Sequence, residues 1–314
     1  MSTKSVFLTI FFSAVIIGIS CALVILAFAP PVYVPSEDAM SVEVVDDSID
    51  VSSLPSLVGG SVSQGDTQTK SGAYYCTLTA NADDGYTFGY WQNGTTKLSG
   101  DVSITLSASS LDGLTNLTKA CAPVFVANEN VFEIADMVDF AGVLVRDVNN
   151  DQTAGKLYRL TADIHNYNTT ITLSQGVFRG ILDGNNHEIG NIYVSGAGMF
   201  AGLDGAVVKD IILNGAVSAN ATYAGGLCGS INNSLVSRCL SYINVVNTAE
   251  EGYAGGIVGV CSSPSVRSML YCCGFYGSVR ATNADQMIGN NVSINANNLK
   301  ACAIFKSKYN GATR

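Results

Sequence analysis

The sequence predicts an all-β protein whose second half is a parallel β-solenoid, a coil of short strands stacked on one another. The segment Tyr-Ala-Gly-Gly-Leu-Cys-Gly at residues 223–229 returns as Tyr-Ala-Gly-Gly-Ile-Val-Gly exactly 30 residues later, at 253–259. Proteins with a fixed period of this length bury the apolar side of each repeat only by stacking it on its neighbours. Short apolar and β-branched segments between Gly, Asn and Ser are typical of strands, and they are too short and too rich in glycine for paired helices.

The repeats also predict which side chains stack. A large apolar residue recurs two positions before a glycine in each copy, at Phe200, Leu227, Ile257 and Met287. We expect these four side chains to form one buried column, because equivalent positions of a solenoid lie above one another.

A second ladder accompanies the first. Residues 211–217 can be laid over residues 239–245, and both over residues 273–279. The distance from the repeated glycine to this ladder changes between copies. We therefore expect the turns to absorb insertions while the strands keep their register.

The chain begins with an uncharged apolar run from Val6 to Ala29, preceded by Lys4. At about 1.5 Å per residue this run is long enough to cross a bilayer core of about 30 Å. A cleaved secretory signal is the alternative, but its apolar region is usually shorter, and Pro30 directly after the small-residue pattern disfavours cleavage. We expect residues 1–30 to be an uncleaved transmembrane signal-anchor, with the N-terminus in the cytoplasm and the rest outside.

Residues 31–57 are rich in proline and carboxylates, which predicts an extended, solvated linker. Residues 58–127 then alternate as strands without the 30-residue period. The expected strands are 74–80, 86–91, 102–106 and 120–126, with a turn at Asn93-Gly94. Trp91 is expected in the core of this domain, with a ligand platform as the alternative.

Nine cysteines are present, one of them in the apolar N-terminal run. Cys76 and Cys121 lie on two strands of the 58–127 domain and are the disulfide candidates if the chain is exported. Cys239 and Cys273 lie on the second ladder, where buried thiols are favoured over disulfides.

One helix is expected between residues 128 and 147. Asp136 can cap it, and Met137, Phe140, Ala141 and Leu144 recur at helical spacing. It would cover the first coil of a solenoid over residues 128–305, whose end otherwise exposes strand edges. Residues 157–192 form the first coils, residues 299–305 are expected to add a last strand, and residues 306–314 a tail.

The repeated Gly-Gly-Leu-Cys-Gly and Gly-Gly-Ile-Val-Gly, at 225–229 and 255–259, resemble the GLUG motif of bacterial cell-surface proteins. Residues 160–164 and 178–189 resemble the segment that precedes such repeats. The resemblance covers roughly residues 129–289. It implies a right-handed parallel β-helix and a place on a cell surface.

The preceding domain carries a second resemblance. Gly59-Gly60, Gly85-Tyr86, Phe88 and Trp91, with a closing strand behind them, are similar to the B-type repeat of internalin-like surface proteins. That resemblance implies a small β-grasp-like module over residues 58–127.

The charged residues show no pattern of a catalytic site. Asp210 and Arg238 fall on equivalent places of successive coils, where we expect a solvent-facing ion pair. Between residues 198 and 289 no two carboxylates fall on the same position of adjacent coils. Asp183-Gly184-Asn185-Asn186-His187 is the densest polar cluster, but Asp-Gly-Asn is also what a tight turn requires, and we predict no second partner for His187.

These observations predict no catalytic residue, metal site or cofactor. No pair of Cys-x-x-Cys units is present, and the net charge of −9 disfavours a nucleic-acid partner. A polysaccharide-active enzyme that uses Asp183 is kept as an alternative, since other parallel β-helices carry such activities.

The apolar run from Val6 to Ala29 predicts a single-pass membrane protein whose bulk is extracellular, or a secreted protein if the N-terminal segment is cleaved. We expect a non-catalytic adhesion or binding module, with the linker and the 58–127 domain as a stalk. The candidate ligand-binding residues are Tyr223, Tyr242 and Tyr253, and the expected partners are host or cell-surface glycans or proteins. A structural part of a cell envelope is a further alternative.

Overall fold

The computed structural model describes residues 41–42, 57–165, 176–261, 268–285, 287–290, 299–300 and 302–304. All of these lie in one compact unit, Ala39–Arg314, and the other unit, Met1–Asp38, lies outside the described residues. The predicted membrane anchor and the predicted tail therefore also lie outside them. Within the described ranges, no helix combines the length and apolar character needed to cross a membrane.

Eight strands and one helix precede the solenoid. They are β1 (Ser41–Val42), β2 (Gly60–Gln64), β3 (Gln68–Lys70), β4 (Ala73–Ala82), β5 (Tyr86–Asn93), β6 (Thr96–Ser99), β7 (Ser103–Ala108), α1 (Leu111–Ala120) and β8 (Cys121–Ala127). One sheet has the order β1-β7-β4-β2 with β3 also on β4, and the other has the order β6-β5-β8. The four predicted strands are confirmed, and residues 57–127 are called the β domain below.

Two features of the β domain differ from the expectation. Helix α1 was not predicted; Ser110 caps it, and Leu114 and Leu117 are buried. Strand β1 belongs to the predicted linker yet pairs with β7, so this part of the linker contacts the folded chain. Trp91 is fully buried in the domain core, and its indole Nε1 donates a hydrogen bond to the carbonyl of Val102 at 3.3 Å.

The second half of the chain is a parallel β-solenoid of about five turns, as predicted. Its strands are β9 (Val131–Ile134), β10 (Leu157–Leu160), β11 (Ile164–His165), β12 (Val177–Phe178), β13 (Ile181–Asp183), β14 (Glu188–Ser195), β15 (Phe200–Asp204), β16 (Val207–Lys209), β17 (Ile212–Ala219), β18 (Tyr223–Gly225), β19 (Cys228–Asn232), β20 (Leu235–Ser237), β21 (Leu240–Asn247), β22 (Tyr253–Gly255), β23 (Val258–Cys261), β24 (Met269–Tyr271), β25 (Gly274–Phe275), β26 (Ser278–Arg280), β27 (Asn283–Ala284), β28 (Ile288–Asn290), β29 (Leu299–Lys300) and β30 (Ala303–Ile304). The last two strands lie within the predicted range 299–305.

These strands form four parallel sheets that run along the solenoid. The first sheet has the order β9-β10-β13-β16-β20-β24-β29 and the second the order β11-β14-β17-β21-β25-β30, with β26 also on β21. The third sheet is β12-β15-β19-β23-β28, and the fourth is β18-β22-β27.

The register confirms the second predicted ladder. Ile212 pairs with Leu240, and Leu240 pairs with Gly274. The far end of the same ladder joins Val245 to Val279. Sequence periodicity predicted these pairs because residues one period apart become neighbours when parallel strands stack.

The first predicted column is right for three residues and wrong for one. Leu227, Ile257 and Met287 are buried, and the N–H of Leu227 donates to the carbonyl of Ile257 at 2.9 Å. Phe200 instead pairs with Cys228, one position along, and Met199 takes the expected place beside Leu227. The hydrogen-bond register of the strands, and not the number of residues before the next glycine, therefore decides which side chain stacks on Leu227. The Phe200 ring stacks on Phe178 with 4.8 Å between centroids.

The predicted helix exists and extends two residues beyond the expected range. It begins after the strand β9 and runs through Met137–Asp139, a π-helical segment Phe140–Val145, and Arg146–Asn149. Asp136 caps it by accepting hydrogen bonds from the N–H groups of Val138 and Asp139, as predicted.

The buried face of this helix also differs in one residue. Phe140 and Leu144 are buried as expected, whereas Ala141 is exposed and Val148 is buried. Phe140, Leu144 and Val148 follow one another at intervals of four residues, which keeps side chains on one face of a helix. These three side chains join the apolar core of the solenoid.

Candidate functional site

The β domain packs against the first sheet of the solenoid. Val126 of β8 belongs to one apolar cluster with Leu157, Ile181, Val207 and other outward residues of that sheet. A Cβ at Gly89 would lie 2.7 Å from Cδ1 of Ile181, so this glycine permits the close approach. The β domain therefore contacts the flank of the solenoid.

Charged residues border this contact. Arg238 donates to Asp210 through Nε at 2.6 Å and Nη2 at 2.7 Å, and its Nη1 lies 2.6 Å from Oδ1 of Asp101. The prediction that Asp210 and Arg238 are neighbours is confirmed. The prediction that they face solvent is wrong, because their side chains are only 14% and 22% exposed.

The electrostatics of Arg238 follow from this position. Burial alone would lower the pKa of its guanidinium, but the carboxylates of Asp210 and Asp101 outweigh burial and raise that pKa. Lys209, the residue before Asp210, donates from Nζ to the carbonyl of Gly100 in the β domain at 3.0 Å. This face of the solenoid is thus held by ionic contacts as well as apolar ones.

The polar cluster at residues 183–187 is a turn, as predicted. Asn185 and Asn186 have φ of 49° and 64°. The Asp183 side chain is 8% exposed, 3.2 Å from Nε of Arg159 and 3.4 Å from Nζ of Lys209. The carboxylate of Asp183, on which the enzyme alternative depended, is therefore buried and paired with two cationic side chains.

The prediction that His187 has no second partner is wrong. Its Nδ1 lies 3.0 Å from Oδ1 of Asp163, which also accepts the backbone N–H of Glu188 at 3.0 Å. These hydrogen bonds hold the pKa of the Asp163 carboxyl below its usual value, that from the Glu188 N–H having the largest effect. Sequence analysis missed Asp163 because it precedes the repeats that were aligned.

The outward face of the second sheet carries a continuous group of polar and aromatic side chains. We call His165, Glu188, Asn214, Tyr242 and Tyr276 the polar-aromatic stripe. Asn214 pairs with Tyr242 in the strand register, and its Nδ2 donates to Oε1 of Glu188 at 3.2 Å. A Cβ at Gly190 would lie 2.7 Å from both Oε1 of Glu188 and Nδ1 of His165, so both side chains lie over this glycine.

The aromatic end of the stripe is a stacked pair. The rings of Tyr242 and Tyr276 have centroids 4.7 Å apart and planes 14° apart. Burial, and then the charge of Glu188, raises the pKa of Tyr242. Burial and the neighbouring Tyr242 raise the pKa of Tyr276 in the same way. The carboxylate and the two phenols therefore belong to one electrostatic environment.

One exposed aromatic residue lies beside the stripe. Tyr193 of β14 is 56% exposed and pairs with the small Ala216. Ala216 pairs with Asn244, and the hydroxyl of Ser278 lies 2.6 Å from Oδ1 of Asn244. Tyr193 could have been found in the sequence from its alternation with the apolar residues Ile192 and Val194.

The three predicted ligand-binding tyrosines do not form one site. Tyr223 and Tyr253 pair on the fourth sheet, half-buried, with ring centroids 5.7 Å apart. Tyr242 belongs to the stripe on the second sheet. Only Tyr242 thus keeps a place in the candidate site.

Cys76 and Cys121 are both buried in the core of the β domain, where they are free thiols. The disulfide between them stays a prediction. Burial raises the pKa of the Cys121 thiol to about 12. Cys239 and Cys273 are buried thiols that donate to carbonyls of the preceding coil, at Val208 and Val236.

Within the described ranges, no group of three or more His, Cys, Asp or Glu side chains could hold a metal ion. The stripe instead offers a carboxylate, an amide, an imidazole and phenols, which hydrogen-bond hydroxyl and peptide groups. Comparisons with protein families, with curated proteins and with solved structures find no match.

Proposed function

We propose that this chain is a membrane-tethered extracellular protein that binds a ligand through the polar-aromatic stripe, without catalysing a reaction. The observation that carries the binding role is the continuity of the stripe. Glu188, Asn214 and Tyr242 lie on successive strands of one sheet, where Asn214 bonds to Glu188 and pairs with Tyr242. The ring of Tyr242 stacks on Tyr276, which directly follows β25 on the next coil. Tethering rests on the apolar run from Val6 to Ala29.

The stripe suits binding because its parts are held in place before a ligand arrives. Neighbouring strands of a sheet lie about 4.8 Å apart, and backbone hydrogen bonds fix that spacing. Asn214 and Glu188 also orient each other through their side chains. Little conformational freedom is then lost when a ligand binds, which favours affinity.

The remaining architecture is part of the same proposal. The solenoid is a right-handed parallel β-helix of the GLUG type, and the β domain is a β-grasp-like internalin B-type module. Support for the hand comes from the strong preference of parallel strand connections for right-handed crossovers. Support for the surface location comes from the resemblance of the repeats to surface proteins, which is an analogy of fold.

The test has two parts, localisation and binding. The full chain should sediment with membranes, and a variant lacking residues 6–29 should not. Protease added to intact cells should digest the tethered chain, since the proposal places its bulk outside.

Binding is then measured with full-length protein in detergent, on cell surfaces and on arrays of glycans and proteins. Tyr242→Ala should weaken binding at least tenfold, while the matched change Tyr223→Ala on the fourth sheet should leave it unchanged. Soluble behaviour of the full chain would contradict the tether. Equal effects of the two substitutions would contradict the proposal that the stripe is the binding site.

A further inference from the structure

We infer that the ligand of the stripe is a carbohydrate chain, with its hydroxyl groups held by Glu188 and Asn214 beside the ring of Tyr242. This inference rests on the proposed binding function and names the ligand class. It also gives the ligand a direction, along the solenoid axis, because the residues that hold it lie on successive strands.

The first argument is the pairing of acceptor and donor. Asn214 uses one N–H on Oε1 of Glu188. Among the described residues, the second carboxylate oxygen of Glu188 and the other N–H and carbonyl oxygen of Asn214 remain for a ligand. A sugar hydroxyl both donates and accepts, so two neighbouring hydroxyls match this pair. Hydrogen bonds to a carboxylate are also stronger than neutral ones.

The second argument is the aromatic neighbour. Tyr242 pairs with Asn214 in the register, directly next to the polar pair. An aromatic ring with a polar tip can contact the C–H groups of a sugar and hydrogen-bond one of its hydroxyls. On the other side of Glu188, the His165 ring lies over the same glycine, Gly190. The polar pair is therefore flanked by two rings.

The third argument separates a carbohydrate from a protein partner. Protein interfaces depend on a few large apolar or aromatic anchors that become fully buried. Of the large apolar side chains exposed in the described part of the chain, only Tyr193 lies on the second sheet. A narrow polar stripe with rings at its side fits a hydroxyl-rich chain better than a protein surface.

The length of the stripe argues for more than one sugar unit. Glu188, Asn214 and Tyr242 lie on three successive strands of the second sheet, β14, β17 and β21, and Tyr276 directly follows β25 on the next coil. Three strand spacings of about 4.8 Å give roughly 14 Å. An oligosaccharide should therefore bind more tightly than the monosaccharide from which it is built.

The experiment uses the full chain in detergent on an array of oligosaccharides, followed by calorimetry with the best one. Glu188→Gln and Asn214→Ala should each lower affinity at least tenfold. Gly190→Ala should also lower affinity at least tenfold although it removes no polar group. Its new Cβ would occupy the space of the Glu188 and His165 side chains. Tyr223→Ala is the matched control and should bind like the original protein. Unchanged urea midpoints show that the variants are folded.

The outcomes distinguish this inference from the proposed function. If the protein binds other proteins or cells but no saccharide, the inference of a carbohydrate ligand is overturned, while the proposed binding function is still supported. No binding to any surface would overturn both. Saccharide binding unchanged by Glu188→Gln and Asn214→Ala would overturn the site. If the monosaccharide competes as well as the oligosaccharide at equal concentration, the inference that a chain binds along the solenoid axis is overturned. If a cell-surface polysaccharide competes as well as the free oligosaccharide, that inference is supported.

Discussion

Nη1 of Arg238 lies 2.6 Å from Oδ1 of Asp101, and this ion pair joins the solenoid to the β domain. The same guanidinium makes two hydrogen bonds with Asp210 on the neighbouring coil. One side chain thus links two coils and two domains. Its position explains how a pair that the sequence placed on the surface becomes part of an internal contact.

Arg238→Met should lower the free energy of unfolding by about 3 kcal/mol, because it leaves the Asp210 carboxylate partly buried without its cation. Asp101→Asn is the matched control. It removes only the contact between domains and should cost about 1 kcal/mol, since Arg238 keeps Asp210. Urea unfolding measures both. Equal small losses would show that the guanidinium is solvated, contrary to the structure.

Asp147 should make stability depend on pH. Its side chain is fully buried and accepts hydrogen bonds from Lys156, Tyr158 and Arg146. Burial raises the pKa of this carboxyl, but the three donors outweigh burial and hold the pKa below its usual value. A carboxyl whose pKa is lowered by folding contributes stability above its unfolded pKa of about 3.9, and this contribution is lost as pH falls through the folded value.

Asp147→Asn should therefore destabilise the protein at pH 7 by about 3 kcal/mol and flatten the loss of stability below about pH 4. Urea midpoints measured across that range check both effects. Glu133→Gln, the matched change of a carboxylate to an amide at an exposed position of β9, should cost less than about 0.5 kcal/mol at pH 7. A profile for Asp147→Asn that matches the original protein would contradict the role of Asp147.

Two glycine substitutions should have opposite effects. A Cβ at Gly255 would lie 2.1 Å from the carbonyl oxygen of Val258 and 2.5 Å from the backbone nitrogen of Gly289 on the next coil. Gly255→Ala therefore forces adjacent backbones apart and should cost at least about 3 kcal/mol. A Cβ at Gly142, in the helical segment, meets nothing within 4 Å. Gly142→Ala should stabilise the protein by about 0.5–1 kcal/mol. Thermal unfolding of both variants tests the close stacking of the coils.

The buried thiols should be unreactive in the folded protein. Burial raises the pKa of Cys121 to about 12 and of Cys228 above its usual value, which leaves little thiolate to react. Iodoacetamide at about pH 8 should label both only after unfolding in urea. Rapid labelling under native conditions would contradict this burial. Intact mass without reductant decides separately whether Cys76 and Cys121 form a disulfide.

Periodic features of the fold were predictable because a solenoid converts sequence distance directly into spatial contact. Tyr223 and Tyr253 are one period apart, and they pair on neighbouring strands. Asn185 and Asn186 adopt the positive φ expected for a tight turn. The predicted place of Phe200 in the column was wrong because this residue lies at the edge of the repeats. There the period shortens, and the hydrogen-bond register pairs Phe200 with Cys228.

The candidate site was predictable only in part. Tyr242 was found as a residue of the repeats, but Glu188 and His165 precede the aligned copies and come beside it only through the stacking of β11, β14 and β17. Helix α1 was missed because its pattern rests on only two buried leucines, Leu114 and Leu117.

The sequence by itself determined the coil, its period and most of its ladders, because each strand contacts the strand one repeat away. Only the tertiary structure decided which face of the coil is covered. The β domain has no period in common with the solenoid, so its packing depends on individual outward side chains such as Ile181 and Arg238. That contact covers the first sheet, while the polar-aromatic stripe lies on the second, where Asn214 remains exposed to solvent.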